Sequence, residues 1–239
     1  MAMSVPPATE RRTDRLIVAE LVGRFAAASN ATFLGEDPEG VLWVYKPAAG
    51  VRHLWDFEPD SLTNREIMAY EVSTQMGLDL VPETVEASGP LGPGAAQRYL
   101  DPDPDFDYRS WFEDRLDPRL WPVAVFDLVA NNADRKLGHV LVESDSGRLF
   151  AIDHGLTFHA HEKLRTVLWA FAGEPIPDPL VEAVARLRES LDGQMARRAA
   201  ELLTPPESDA LRRRADSLLA DPRHPHPPTD RSALPWPLW

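Results

Sequence analysis

Apolar positions in the first hundred residues come mainly in short runs cut by turn residues. The segment 14–21 reads as a short helix or the approach to a strand. In Gly23-Arg-Phe-Ala-Ala-Ala-Ser-Asn-Ala-Thr-Phe-Leu34, apolar stretches flank a small-residue turn at Ser29-Asn30. Asp37-Pro-Glu-Gly40 is turn chemistry, and Val41-Leu-Trp-Val-Tyr45 predicts a strand ending on Lys46-Pro47. Helical spacing follows over 64–76, where Met68, Val72 and Met76 recur beside Ile67 and Ala69, and Gly77 supplies the stop. Strands are predicted at 81–85 and 95–100, with turn material at 88–94 between them.

Beyond residue 101 the pattern turns mostly helical. The acidic run Asp101-Pro-Asp-Pro-Asp-Phe-Asp107 has no glycine where a calcium loop needs its sharp turn, so it reads as a solvated linker. A surface helix is predicted at 111–120. The segment 122–130 is apolar almost all round and reads as a buried helix. Val140-Leu-Val142 and Leu149-Phe-Ala-Ile152 flank Ser144-Asp-Ser-Gly147, the pattern of a hairpin. The stretch 181–203 predicts an amphipathic helix or a pair of them, with Val181, Val184, Leu187, Leu191 and Met195 on one face, and 207–220 a further helix. Residues 1–13 are a polar tail, and 221–239 form a Pro-rich tail, disordered or surface-packed, ending in Trp236 and Trp239.

Composition narrows the classes. The 239 residues suffice for one large domain or two lobes sharing a cleft. Twenty-five basic against 38 acidic residues leave a net charge of -13, which argues against nucleic acid and against docking on an anionic bilayer. No apolar run reaches the length of a membrane span, no secretory leader pattern opens the chain, and no cysteine is present, all of which fit a cytoplasmic protein.

The candidate chemistry is concentrated between Phe126 and Phe158. Asn132-Ala-Asp134-Arg135-Lys136-Leu-Gly-His139 precedes one strand of the predicted hairpin, and Asp153-His154-Gly155 follows the other. A hairpin brings Asp134, His139 and Asp153 around one point. Phosphoryl transfer needs a carboxylate to orient the attacking hydroxyl, oxygen or nitrogen ligands for a divalent metal, and cations for phosphate oxygens. Asp134 suits the first task, Asp153 and His139 the second, Lys136 the third. A hairpin with merely polar ends explains the same spacing. Asp127 inside the apolar helix would be costly without a partner. Asn132 either holds the loop, contacts a metal or caps the helix.

N-x-D-R-x-x-x-H followed by A-I-D-H-G-L-T-F resembles the catalytic and metal loops of the phosphatidylinositol 3-/4-kinase-like superfamily, with the type II phosphatidylinositol 4-kinases and HipA-type kinases as nearest branches. The whole chain also resembles a family of small actinobacterial kinase-like proteins. The resemblance implies an α+β, two-lobed protein-kinase-like fold, with a nucleotide-binding lobe at 14–100 and a catalytic lobe at 101–220. It makes Asp134 the catalytic aspartate and Asp153 the metal aspartate. His139 stands where the pattern has a metal-binding Asn, and imidazole is the softer ligand. Val44-Tyr-Lys46-Pro matches the nucleotide lysine, with Glu66 as its helix partner and Glu71 as competitor. The expected ligands are ATP and Mg²⁺, with Mn²⁺ as a substitute. Backbone groups of Ser29 and Asn30 would cover phosphates, and those of Arg98, Tyr99 and Leu100 would hold the adenine.

The implied reaction passes the γ-phosphoryl group to a hydroxyl acceptor: a small polyol, an inositol-type metabolite, or a protein Ser or Thr. Lys163 and Arg165 sit where an anionic acceptor would pass, with surface charge as the plain alternative. Trp55 and Phe57, aromatic residues among polar ones, predict a lid, a substrate surface or a cover for the small lobe. Three rival readings accompany the kinase. One is a nucleotide-binding pseudokinase acting as a regulatory module; another is an AMP-transferring enzyme. The third is a metal-dependent phosphohydrolase, suggested by His139, His154, His159 and His161 near two aspartates.

Overall fold

The computed structural model describes residues 15–26, 28, 30–50, 56–58, 61–107 and 117–238. A six-stranded sheet is built from β1 (Leu16–Ile17), β2 (Glu20–Arg24), β3 (Phe33–Glu36), β4 (Leu42–Pro47), β5 (Thr84–Gly89) and β6 (Gly92–Arg98). Its order is β1-β5-β6-β4-β3-β2. Only the β1–β5 pair is parallel; the remaining neighbours are antiparallel. Helix α1 (Ser61–Met76) packs on this sheet. The rest of the described chain is helical around α2 (Trp121–Ala130), α3 (Asp178–Leu191), α4 (Gln194–Leu202) and α5 (Pro205–Ala220), with one hairpin of β7 (Val140–Val142) and β8 (Leu149–Ala151). The chain has the mixed α+β, two-lobed, kinase-like fold.

Turn chemistry sets the sheet. The carboxylate of Asp37 accepts the N–H groups of Glu39 and Val41 and the indole N–H of Trp43, so one buried side chain closes the β3–β4 turn and anchors the strand leading to Lys46. Lys46 lies in register with Ala95, and Gly94 is required beside it. A Cβ there would come within 2.3 Å of the Lys46 carbonyl oxygen.

The strand predicted at 81–85 begins later, at Thr84, because the N–H groups of Leu80 and Val81 are bound to the Ser73 hydroxyl on α1. The turn material at 88–94 is shorter than predicted. Strands run to Gly89 and restart at Gly92, whose φ of 97° makes the tight reversal. Pro93 is tolerated since it lies past the end of β4, where no ladder donor is needed. Helix α1 begins at Ser61, three residues before the predicted start, and ends at Gly77 with φ 69°.

Of the predicted surface helix, 108–116 lie outside the described residues, and Pro118–Leu120 form a 3₁₀ turn capped by Asp117. The acidic run is more than a solvated linker. The Asp103 N–H donates to Val142 and the Asp101 carbonyl accepts from Ser144, so its backbone flanks β7. The predicted 181–203 segment is a pair of helices, broken at Asp192–Gly193. No helix among the described residues is long and apolar enough to cross a membrane.

The Pro-rich tail is packed against the body. Gly173 and Ile176 donate to the carbonyls of His224 and Pro222, Thr166 and the Trp169 indole both donate to Ala233, and Leu137 donates to Leu238. His224 is buried beside Trp121, Trp169 and Phe171. The tail thus runs from the helical core to the loop that carries Asp134. Ending the chain after Asp221 should lower the melting temperature by about 4 °C or more. A truncated protein that melts with the full chain would show that these contacts carry no stability.

Candidate functional site

Helix α2 is the base of the site. Its apolar sequence buries it on all sides, and Asn131 ends it in the left-handed region at φ 53°. The Asn131 side chain donates to the carbonyls of His159 and His161 and accepts the Lys163 N–H, tying the helix end to the later segment. Within the helix, Asp127 pairs with Arg135, both fully buried. Arg135 spends its remaining N–H groups on the carbonyls of His139 and Ile152 and on Nε2 of His154. Its own backbone N–H donates to the Arg165 carbonyl. Asn132 donates to Asp127 and accepts the Asp134 N–H through its side chain, so it holds the loop.

Four predicted residues meet at the cleft. The Lys46 ammonium forms a short ion pair with Glu66 and lies 3.2 Å from Oδ1 of Asp153. Glu66 also accepts the His154 N–H at 3.0 Å, joining α1 to the segment after β8. His139 places Nε2 3.4 Å from Oδ2 of Asp153. Glu71 is elsewhere, bound to Arg198 of α4. Asp134 and Lys136 form their own ion pair at 2.9 Å.

The electrostatics follow from burial and neighbours. Burial works against the Lys46 ammonium, but Glu66 and Asp153 outweigh it and hold the lysine charged. The Lys46 charge in turn keeps Asp153 well below the usual carboxylate range, although 52 % of its side chain is open to the cleft. Burial pushes His139 down to about 4, leaving a neutral imidazole at neutral pH. Burial raises Asp134, opposed by Lys136. Asp153 itself has φ 60°, a conformation Asp tolerates better than bulky residues.

A divalent metal fits part of this set. A neutral imidazole and an ionised carboxylate are side by side, and Nδ1 of His139 is buried with no partner among the described residues. No group of three His, Cys, Asp or Glu side chains converges among the described residues. Two protein donors leave the remaining positions to phosphate oxygens and water, the usual habit of Mg²⁺ with nucleotides.

The other predicted residues are placed as follows. Arg98 and Tyr99 at the end of β6 have already given their N–H groups to the carbonyls of Glu83 and Leu42, and Arg98 lies over the Trp43 ring. Leu100 is half-buried. Asn30 stands in the β2–β3 turn, while Ser29 lies outside the described residues, as does Trp55. Phe57 is buried with Leu62, Ala133 and Leu156, and Arg65 covers its ring; it wedges α1 against the loop that leads to Asp134. Lys163 binds Asp56 at 2.9 Å, whereas Arg165 lies close enough to Asp134 to act on its charge.

Sequence reasoning missed Arg65. It donates to the Thr157 carbonyl and pairs with Glu207 of α5, both as short contacts. A buried arginine one position before Glu66 carried no local signal, because its partners are about 90 and 140 residues away.

Solved structures of similar shape are kinases. The crystal structure of the Golgi casein kinase with Mn and ADP bound aligns with a TM-score of 0.57 at 11% identity, over 87% of this chain and 73% of that one. The Helicobacter pylori proinflammatory kinase CtkA aligns with a TM-score of 0.53 at 12% identity, over 88% and 95%. At such identities they show the fold. No family model matches the chain. Protein Rv2133c of Mycobacterium tuberculosis is 41% identical, with 97% of each chain covered, and this chain belongs to the same family.

Replacing Asp127 by Ala leaves Arg135 buried without its counter-charge. It should cost about 3–5 kcal/mol of stability in urea unfolding. A loss of under about 1 kcal/mol would mean that water or another group replaces the carboxylate.

Proposed function

We propose that this protein is an ATP- and metal-dependent phosphotransferase acting on a hydroxyl acceptor. The observation that carries the reading is the junction of Lys46 on β4, Glu66 on α1 and Asp153 after β8, with Asp134 and Lys136 on the adjoining loop. Strand, helix and hairpin each bring one of the charges to this junction. Structural hydrogen bonding would not need a cation held between two carboxylates that are 20 and 107 residues away in the chain.

Bound ATP with Mg²⁺ or Mn²⁺ would supply the phosphoryl group and neutralise its charge. Lys46 is positioned for the α- and β-phosphates, and Asp153 with His139 for the metal. Arg98 to Leu100 would border the adenine, with the Leu100 backbone left for the ring, and Asn30 in the β2–β3 turn would approach the phosphates. Asp134 accepts the hydrogen bond of the acceptor hydroxyl, whose oxygen forms the new bond to γ-phosphorus. The bond from that phosphorus to the β–γ bridging oxygen breaks, the hydroxyl proton passes to Asp134 or through it to water, and ADP leaves. Lys136 neutralises the γ-phosphate oxygens. Burial raises the Asp134 carboxyl, the direction that favours taking up that proton, with Lys136 opposing it.

The acceptor we favour is a small polyol or inositol-type metabolite, with a protein Ser or Thr as the other class. A net charge of -13 works against a lipid in an anionic membrane. Support for the phosphohydrolase is weak, since two of its four histidines are engaged elsewhere. His154 accepts from Arg135, and His159 packs edge-on against Phe57.

Thermal shift with ATP and Mg²⁺ or Mn²⁺, followed by mass spectrometry of a polyol panel, tests the reading. Wild type should show metal-dependent stabilisation, which Asp153→Ala should lose. Asp134→Asn should bind as wild type and lose about 10²–10⁴ in turnover. His139→Asn should keep nucleotide binding with a stronger preference for Mg²⁺ over Mn²⁺. A mass gain of AMP rather than phosphate would replace the proposed reaction. Metal-dependent stabilisation without nucleotide, together with phosphate-ester hydrolysis, would overturn the reading.

A further inference from the structure

Four buried polar side-chain atoms have no hydrogen-bond partner among the described residues: Nδ1 of His139 and His154, Nη2 of Arg214 and Nε2 of His224. The first two belong to the cleft. Arg214 and His224 both line one cavity of about 910 Å³ between α5, the end of α2, the segment after His159 and the tail. None of the cleft residues lines it. Its size is that of small-molecule sites.

The charge at this cavity runs against the chain as a whole. Arg214 donates Nε to the Val129 carbonyl at 2.8 Å and Nη1 to the His159 carbonyl at 3.3 Å, so its bonds go to neutral acceptors. Glu207 is taken by Arg65, and Glu162 lies 4.0 Å from Arg231. Burial lowers Arg214 to about 10, which still leaves a cation at neutral pH. Glu162 and Glu207 act on the Arg214 charge from a distance, but no carboxylate forms an ion pair with it among the described residues. Arg213 and Arg223 line the same cavity and are exposed. Arg213 makes no ion pair among the described residues, and Arg223 donates to the Gly173 carbonyl. Glu162 and Asp221 also line it, both exposed, so three guanidinium groups face two carboxylates. His224 shares its Nδ1 proton with the Pro225 carbonyl, which leaves Nε2 as an acceptor.

We propose that this cavity binds a small phosphate-bearing metabolite. Arg214 supplies the half-buried guanidinium and Arg213 and Arg223 the exposed ones, a set that three phosphate oxygens can share. His224 Nε2 accepts from a ligand hydroxyl, and Leu128, Leu164 and Leu218 cover the organic part. The site bears on the catalytic loop. The His159 carbonyl receives both Arg214 and Asn131, and Asn131 ends the helix that leads to Asp134. Occupancy therefore acts on the loop without touching the cleft, a regulatory site independent of what the cleft transfers.

The test is calorimetric titration of the full chain with inorganic phosphate and with pyrophosphate, at ionic strength held constant with chloride. Three proteins are compared: wild type, Asp153→Ala and the double variant Arg213→Glu, Arg223→Glu. Wild type and Asp153→Ala should bind pyrophosphate with similar affinity. The double variant should bind about tenfold or more weakly while keeping its melting temperature and its metal-dependent ATP stabilisation. Equal affinity in the double variant would overturn the proposal. So would loss of binding in Asp153→Ala, which puts the anion in the cleft, or no binding up to about 10 mM.

Discussion

The buried Arg135 guanidinium is the interaction on which the rest of the site depends. It pairs with Asp127 in the core helix and donates to the carbonyls beside His139 and Asp153 and to the His154 ring. One planar cation thus joins the core helix, the turn at His139 and the segment Ile152–His154. Each has one fixed anchor, and the geometry of the fork sets their mutual spacing. A lysine could supply the charge but not the directions. The cost of burying that cation is offset by the carboxylate and by the two backbone acceptors, so the site is rigid where it needs to be.

The cleft itself is balanced differently. Lys46 is held by Glu66 and Asp153, and Asp134 is held by Lys136, so each functional charge already has an opposite partner. That arrangement keeps an acidic chain from accumulating uncompensated negative charge at its centre. It also leaves none of these side chains as a bare charge. His139 is neutral at neutral pH because burial lowers it to about 4.

The helical lobe ties its distant parts together by the same means. Arg65 joins α1 to α5 through Glu207, Arg198 joins α4 to Glu71 of α1 and Glu86 of β5, and the tail closes over Thr166, Trp169 and Leu137. The sheet and the helices therefore meet through arginines as well as through apolar contact. Arg214 differs from these in having only neutral acceptors, which sets its cavity apart from a structural tie.

The amino-acid sequence by itself determined the elements and the candidate residues of the site. Apolar runs marked β4, α2 and the β7–β8 hairpin, Gly77 marked the end of α1, and an aspartate in an all-apolar helix demanded a cation. These signals are local, since periodicity and turn residues act over a few positions. It did not determine the start of β5, which the Ser73 hydroxyl delays from another element, nor the packing of the tail. It left open which glutamate meets Lys46. Glu66 and Glu71 sit on different faces of one helix, and only the way α1 lies against β4 and β8 selects between them. The Arg212-Arg213-Arg214 run is visible in the chain. That Arg214 lies half-buried with no ion-paired carboxylate among the described residues could be decided only by tertiary structure. Contacts between residues tens of positions apart depend on how the helices stack, and stacking is a property of the whole packed core rather than of any window of sequence.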